Sequence, residues 1–234
     1  MSPLVYILAV VTAIFAALTV ILRRKGKSFY GMVCKFMASF GFMSVAFVGY
    51  CLNPHDSIYF CLVVFGLLFG LGGDVLLGIK EIAPKFRPQL IPLGTVYFLV
   101  CHLFFLAACL KISGFQLIPL IIALAIGVCA FVTIKVLKFK IDMKLGVLLV
   151  VYYTVLCYKM ATFGFLAYNT DKPAFIVAFI GAILFVISDS CLGFLYFTPT
   201  KSKNLLVTVE LATYYPAQVL LAMSVALISA PAVG

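Results

Sequence analysis

Eight apolar runs of membrane-spanning length divide the chain, and no other feature restricts its fold as strongly. They cover roughly residues 4–22, 29–52, 57–79, 91–111, 114–137, 144–168, 174–197 and 205–229. About 20 apolar residues in a helix cross the hydrocarbon core of a bilayer. In lipid the backbone must satisfy its own hydrogen bonds, and continuous runs of this length do so as helices. The expected fold class is therefore all-α: a polytopic membrane protein, a bundle of eight transmembrane helices, with 1–234 forming a single domain. No linker or low-complexity segment splits it. A soluble protein with a very large core is the alternative. Composition argues against that, with 65% of the 234 residues hydrophobic and 10% charged, against about 25% charged in soluble domains. The first run follows an uncharged Met-Ser-Pro-Leu and precedes Arg23-Arg24-Lys25. A secretory signal carries its charge on the other side, so this run reads as a retained helix.

A net charge of +10 invites a nucleic-acid partner, but the charge sits in the short loops between apolar runs. Arg23, Arg24, Lys25 and Lys27 follow run one, and Lys80, Lys85 and Arg87 follow run three. Lys135, Lys138, Lys140 and Lys144 flank the fifth loop, and Lys201 and Lys203 occupy the seventh. The even loops hold only Lys111 and Lys172 besides His55, Asp56 and Asp171. The positive-inside rule then places the odd loops in the cytoplasm and both termini on the opposite side. The basic charge is accounted for by topology, and no nucleic acid is expected as a partner. Eight cysteines lie in or beside the apolar runs without a CxxC pair. They read as small buried hydrophobes, and with only His55 and His102 present no metal site is expected.

Within this apolar frame two aspartates stand out. Gly66, Gly70, Asp74 and Gly78 recur every fourth residue, so a helix stacks them on one face. Small residues at that spacing admit a neighbouring helix and point the carboxylate into the protein. The pattern returns as Gly181 to Gly193 around Asp189, with glycine eight residues before the acid and Leu-Gly three and four residues after it. The copies are 115 residues and four runs apart, which points to two four-helix halves in parallel orientation. An uncompensated carboxylate in hydrocarbon is expensive, so the pair is expected to serve function.

Five ionisable residues within the runs fall at similar depths. From the expected cytoplasmic ends, Asp74 and Glu210 lie about 8 Å deep, Lys35 about 9 Å, Asp189 about 12 Å and His102 about 16 Å. They come from five different runs, and a shared polar pocket in the cytoplasmic half explains the grouping. Tyr152 and Tyr153 reach comparable depth, and one of the two is expected to face it. Glu210, Tyr214 and Gln218 fall at i, i+4 and i+8 on one face. Lys159, near the outer end of run six, is expected to snorkel to the interface. Two neighbouring carboxyl groups in a low-dielectric site share protons unequally, which suits general acid–base hydrolysis through a cationic state. It equally suits a proton-coupled transporter of a lipid or small solute, although the outer halves of the runs are nearly all apolar.

Four blocks resemble the YhhN family of membrane lysoplasmalogenases, in that family's order: Gly73-Asp74-Val-Leu-Leu, Gly94 through His102, Gly181 through Asp189, and Thr213-Tyr214-Tyr215-Pro-Ala-Gln218. Lys35 also falls where the family tends to place a lysine. Phe105 stands where many members carry tyrosine, and the Phe86–Gly94 loop looks longer than usual. The resemblance implies hydrolysis of the vinyl-ether bond of lysoplasmalogens to a fatty aldehyde and glycerophospho-ethanolamine or -choline. The substrate would be a lysophospholipid drawn from the membrane of a bacterial cell or the endoplasmic reticulum. On this resemblance Asp74 and Asp189 are the general acid and base. Lys35, His102, Tyr153, Glu210, Tyr214 and Gln218 bind or position substrate and water. Lys35, with Lys80, Lys85 or Arg87 at the mouth, would receive the phosphate. No cofactor is implied.

Overall fold

Each apolar run forms one α-helix: α1 (Pro3–Arg24), α2 (Ser28–Leu52), α3 (Ser57–Ile82), α4 (Arg87–Ser113), α5 (Leu117–Val136), α6 (Met143–Thr170), α7 (Pro173–Phe197) and α8 (Lys203–Leu227). The structure, a computed structural model, describes residues 2–139 and 141–228. Lys140 and residue 229, the expected end of the eighth run, lie outside them. All eight helices are long and apolar enough to cross a membrane, and the chain is an integral multi-pass membrane protein. No strand occurs among the described residues.

The helix ends follow from local chemistry. Asp56 and Asp142 cap α3 and α6 by accepting from the backbone N–H groups of Tyr59 at 3.0 Å and Leu145 at 2.8 Å. Gly114 closes α4 at φ +66°, a left-handed conformation that glycine adopts without steric cost. Beyond α3 a single 3-10 turn, Pro84–Phe86, leads directly into α4.

Helix α3 is surrounded, which explains its glycine face. A Cβ on Gly66 would stand 2.8 Å from Phe105 of α4, one on Gly70 2.7 Å from Gln218 of α8, and one on Gly78 2.9 Å from Met32 of α2. The small residues thus admit three helices, where the sequence spacing by itself suggested one. On α7, a Cβ at Gly181 would lie 3.0 Å from the Ala217 carbonyl oxygen of α8. Lipid tails are as apolar as leucine, so association rests on this close packing and on hydrogen bonds between helices.

The packing pairs repeat four helices later. α1 packs on α2 as α5 packs on α6; α2 on α3 as α6 on α7; α3 on α4 as α7 on α8. Across the halves, α2 packs on α8 and α6 on α4. Two contacts have no counterpart: α8 also packs on α1 and on α3, whereas α4 has no close backbone approach to α5 or α7 among the described residues. One half is therefore closed where the other is open.

Candidate active site

Both aspartates keep the same kind of company. Asp74 on α3 is bonded by Ser39 of α2 and Tyr214 of α8. Asp189 on α7 is hydrogen-bonded by Tyr152 of α6, and His102 of α4 stands beside it. Each acid thus faces a partner on the preceding helix and another on a helix of the opposite half. Gly66 against Phe105 has its counterpart in Gly181 against Ala217.

The Asp74 copy is closed. Its Oδ2 accepts from Ser39 Oγ at 2.7 Å and from the Tyr214 hydroxyl at 2.8 Å, while Lys35 Nζ lies 3.0 Å from Oδ1. Gln218 Nε2 donates to the Tyr214 hydroxyl at 3.0 Å. The carboxylate is 2% exposed and lines neither the cavity beside Asp189 nor the cleft beside Glu210. Its charge is neutralised by Lys35, so what this cluster contributes is a fixed wall. The Tyr214 ring stands edge-on to Phe98 and Phe185, and Phe185 in turn meets the His102 ring edge-on.

The Asp189 copy is open. In the space left by α4 standing off from α5 and α7 lies a cavity of about 360 Å³. Asp189, Ser190, Tyr152 and Tyr153 are polar points on a lining that is otherwise mostly aliphatic and aromatic. Behind the carboxyl runs a chain of donors. Lys159 Nζ is 3.2 Å from His102 Nδ1, His102 Nε2 is 3.0 Å from the Tyr152 hydroxyl, and Tyr152 donates to Asp189 Oδ2. An ammonium only donates, so His102 accepts at Nδ1 and carries its hydrogen on Nε2. Every donor in the chain then points toward Asp189, which keeps Oδ1 free of hydrogen bonds among the described residues.

Several expectations need correction. The five ionisable residues do not share one pocket. Lys35 and Asp74, with Tyr214 and Gln218, make one cluster, and His102 and Asp189 another. Glu210 belongs to a third, where Arg23 pairs with Glu81 and stands 3.8 Å from Glu210 Oε2, and of the other four only Lys35 borders the same cleft. The backbones of α3 and α7 do not approach, and aromatic rings fill the space between the two clusters. The phenol that reaches Asp189 is that of Tyr152; Tyr153 lines the cavity but bonds to Ser190 at 2.8 Å.

Lys159 departs furthest from expectation. It does not snorkel to an interface: it is 0% exposed, with Nζ 4.5 Å from the Phe185 ring centre. Side chains on a helix lean toward its N-terminus, so the long stem reaches back along α6 toward the turn that carries Tyr152. The seven-residue spacing from Tyr152, two helical turns, was the available signal. Ser39, the small partner of Asp74, had none.

Beside the cavity lies a second, narrow polar cleft, bordered by Arg23, Lys35, Glu81 and Glu210. Leu77 and Tyr196 line both spaces and form the partition between them. Among the described residues no group of three or more His, Cys, Asp or Glu side chains is placed to hold a metal ion, and all eight cysteines are free thiols.

No curated protein and no solved structure matches this sequence. A sequence model of the YhhN family does match, over residues 32–225. That range takes in both aspartate clusters and the cavity, and leaves α1 outside. Covering far more than half of the chain, the match establishes that this protein belongs to the YhhN family.

Proposed function

We propose that the protein is a lysoplasmalogenase that hydrolyses the vinyl-ether bond of a single-chain alkenyl phospholipid at Asp189. The observation that carries this reading is one carboxyl facing an aliphatic and aromatic cavity, with a line of hydrogen-bond donors behind it. Membership of the family supports it. With Tyr152 donating to Oδ2, the proton of a neutral Asp189 resides on Oδ1 and is available to the cavity. It transfers to the outer alkene carbon, and the electron pair of the double bond forms the new C–H bond. The carbon attached to oxygen becomes an oxocarbenium ion beside the Asp189 carboxylate, which stabilises it.

Water then adds to that carbon while Asp189 takes a proton from it, restoring the acid. The hemiacetal collapses to a fatty aldehyde and the free glycerol hydroxyl. A single carboxyl thus serves as acid and then as base. Asp74, enclosed with Lys35, acts through Tyr214 and the Phe98–Phe185 wall as a positioning residue. This departs from the acid–base division expected of the aspartate pair. The cavity receives the lipid, and the basic loops support a mouth on the cytoplasmic side of the membrane.

Purified protein in detergent should release aldehyde from a 1-alkenyl lysophospholipid and leave the ester-linked 1-acyl counterpart intact. Asp189→Asn should lower kcat about 10²–10⁴-fold, the range for loss of a general acid or base, with an unchanged elution profile. Cleavage of the ester in place of the vinyl ether, or full turnover by Asp189→Asn, would refute the assignment.

A further inference from the structure

One strong cation near the cavity has no use in the chemistry above. Lys80, in the last turns of α3, is 5% exposed, yet no carboxylate lies within 4.0 Å of it among the described residues and it makes no hydrogen bond there. Its neighbour Glu81 is taken by Arg23. Lys80 Nζ instead sits 3.3 Å from the centre of the Tyr196 ring, and the guanidinium of exposed Arg87 lies 6.0 Å from the same centre. Tyr196 borders both the cavity and the polar cleft. Two cations therefore converge on one ring at the boundary between the apolar chamber and the charged surface. A buried ammonium without an anion is costly, and an incoming anion would supply the missing partner.

We propose that Lys80 and Arg87, gathered on Tyr196, bind the phosphate of a single-chain phospholipid and so fix which bond along the lipid meets Asp189. This rests on the reading of Asp189 as the reacting carboxyl and adds the feature by which substrate is recognised. The spacing fits. Tyr196 follows Asp189 by seven residues on α7, a rise of about 10.5 Å. In an alkenyl lysophospholipid eight bonds separate the outer alkene carbon from a phosphate oxygen. At roughly 1.2 Å of span per bond, as in an extended chain, that distance is about 10 Å. With the phosphate on Lys80 and Arg87, the alkene comes level with Asp189. The other basic candidates are otherwise engaged. Lys35 neutralises Asp74, Arg23 is held by Glu81, and Lys85 rests over the Phe86 ring, not over Tyr196.

The test uses ligands that cannot react. A 1-O-alkyl lysophospholipid, which lacks the alkene, is compared with the 1-O-alkylglycerol of the same chain length, both titrated onto the full-length protein in detergent. The wild type should bind the phosphate-bearing lipid about tenfold or more tightly than the alkylglycerol, the scale of charge-assisted hydrogen bonds. Arg87→Gln and Lys80→Gln should each narrow that ratio severalfold while leaving alkylglycerol binding unchanged, and Lys80→Arg should retain it. Should the buried Lys80→Gln variant fail to fold, exposed Arg87 still decides. Equal binding of both ligands by the wild type overturns the proposal, as does equal weakening of both by the variants. Displacement of the lipid by millimolar inorganic phosphate would identify a site for free phosphate and also overturn it. Discrimination without aldehyde release would refute the hydrolytic reading alone, and aldehyde release without discrimination would refute the anchor alone.

Discussion

Replacing Lys159 with methionine sets stability and activity against each other. The two side chains are of similar length, and methionine suits the pocket formed by Phe105 and Phe185. No carboxylate lies within 4.0 Å of Lys159 among the described residues, so its ammonium is buried without an ion-pair partner. Desolvating such an ion costs several kcal/mol, and the substitution removes that cost. What is lost is one hydrogen bond from a charged donor, worth about 1.5–3 kcal/mol, and with it the constraint that keeps the hydrogen of His102 on Nε2. If that constraint acts on the Asp189 proton, kcat falls by about 10- to 150-fold, at 1.4 kcal/mol per tenfold. KM should move little, because Lys159 borders neither cavity nor cleft. The thermal midpoint in the same detergent should stay level or rise. Aldehyde-release kinetics and thermal unfolding on one preparation read both quantities. Turnover within twofold of wild type would refute the donor chain. A fall of many degrees in the midpoint would show that the ammonium is there for structure.

The other expectations follow from particular contacts. Asp74→Asn strips Lys35 of its partner and should destabilise the protein by about 3–5 kcal/mol, as for a broken buried pair. Adding Lys35→Met should restore much of that loss in thermal unfolding, and failure to restore it would mean the pair is not the source. A Cβ at Gly193 meets nothing within 4 Å and faces the cavity. Gly193→Phe should therefore fold normally while raising KM, checked by turnover against substrate concentration. At the opposite end of the bundle, partial burial pushes the Asp56 carboxyl up. The hydrogen bond from Lys111, the Tyr59 N–H and the Lys111 charge outweigh this and hold it below the ordinary 3.8. Its folded value is depressed, so its stabilisation is present above about 3.8 and is lost as pH falls through the folded value. Asp56→Asn should flatten that acid limb of an unfolding-against-pH series.

The helices themselves were legible because each depends on local properties. An apolar run of this length in lipid has only helical solutions, and caps such as Asp56 and Asp142 act within four residues. The repeat around Asp74 and Asp189 was legible for the same reason, since spacing along one helix fixes a face. Depth was legible in part: rise per residue placed Lys35 level with Asp74 and His102 within reach of Asp189, and both pairs meet. It failed for Lys159, whose Cα lies well outward of its ammonium, because a long side chain carries its charge more than a helical turn from its own backbone. It also failed for Glu210, because residues at one depth still face different neighbours around a helix.

What sequence could not supply was which copy of the repeat is open. The two motifs look alike, yet α8 closes over Asp74 by packing on α1 and α3, while α4 stands away from α5 and α7 and leaves the cavity beside Asp189. The closing contacts of α8 on α1 and α3 join residues more than a hundred positions apart. The asymmetry is decided by side-chain volumes meeting across helices, which no single run encodes.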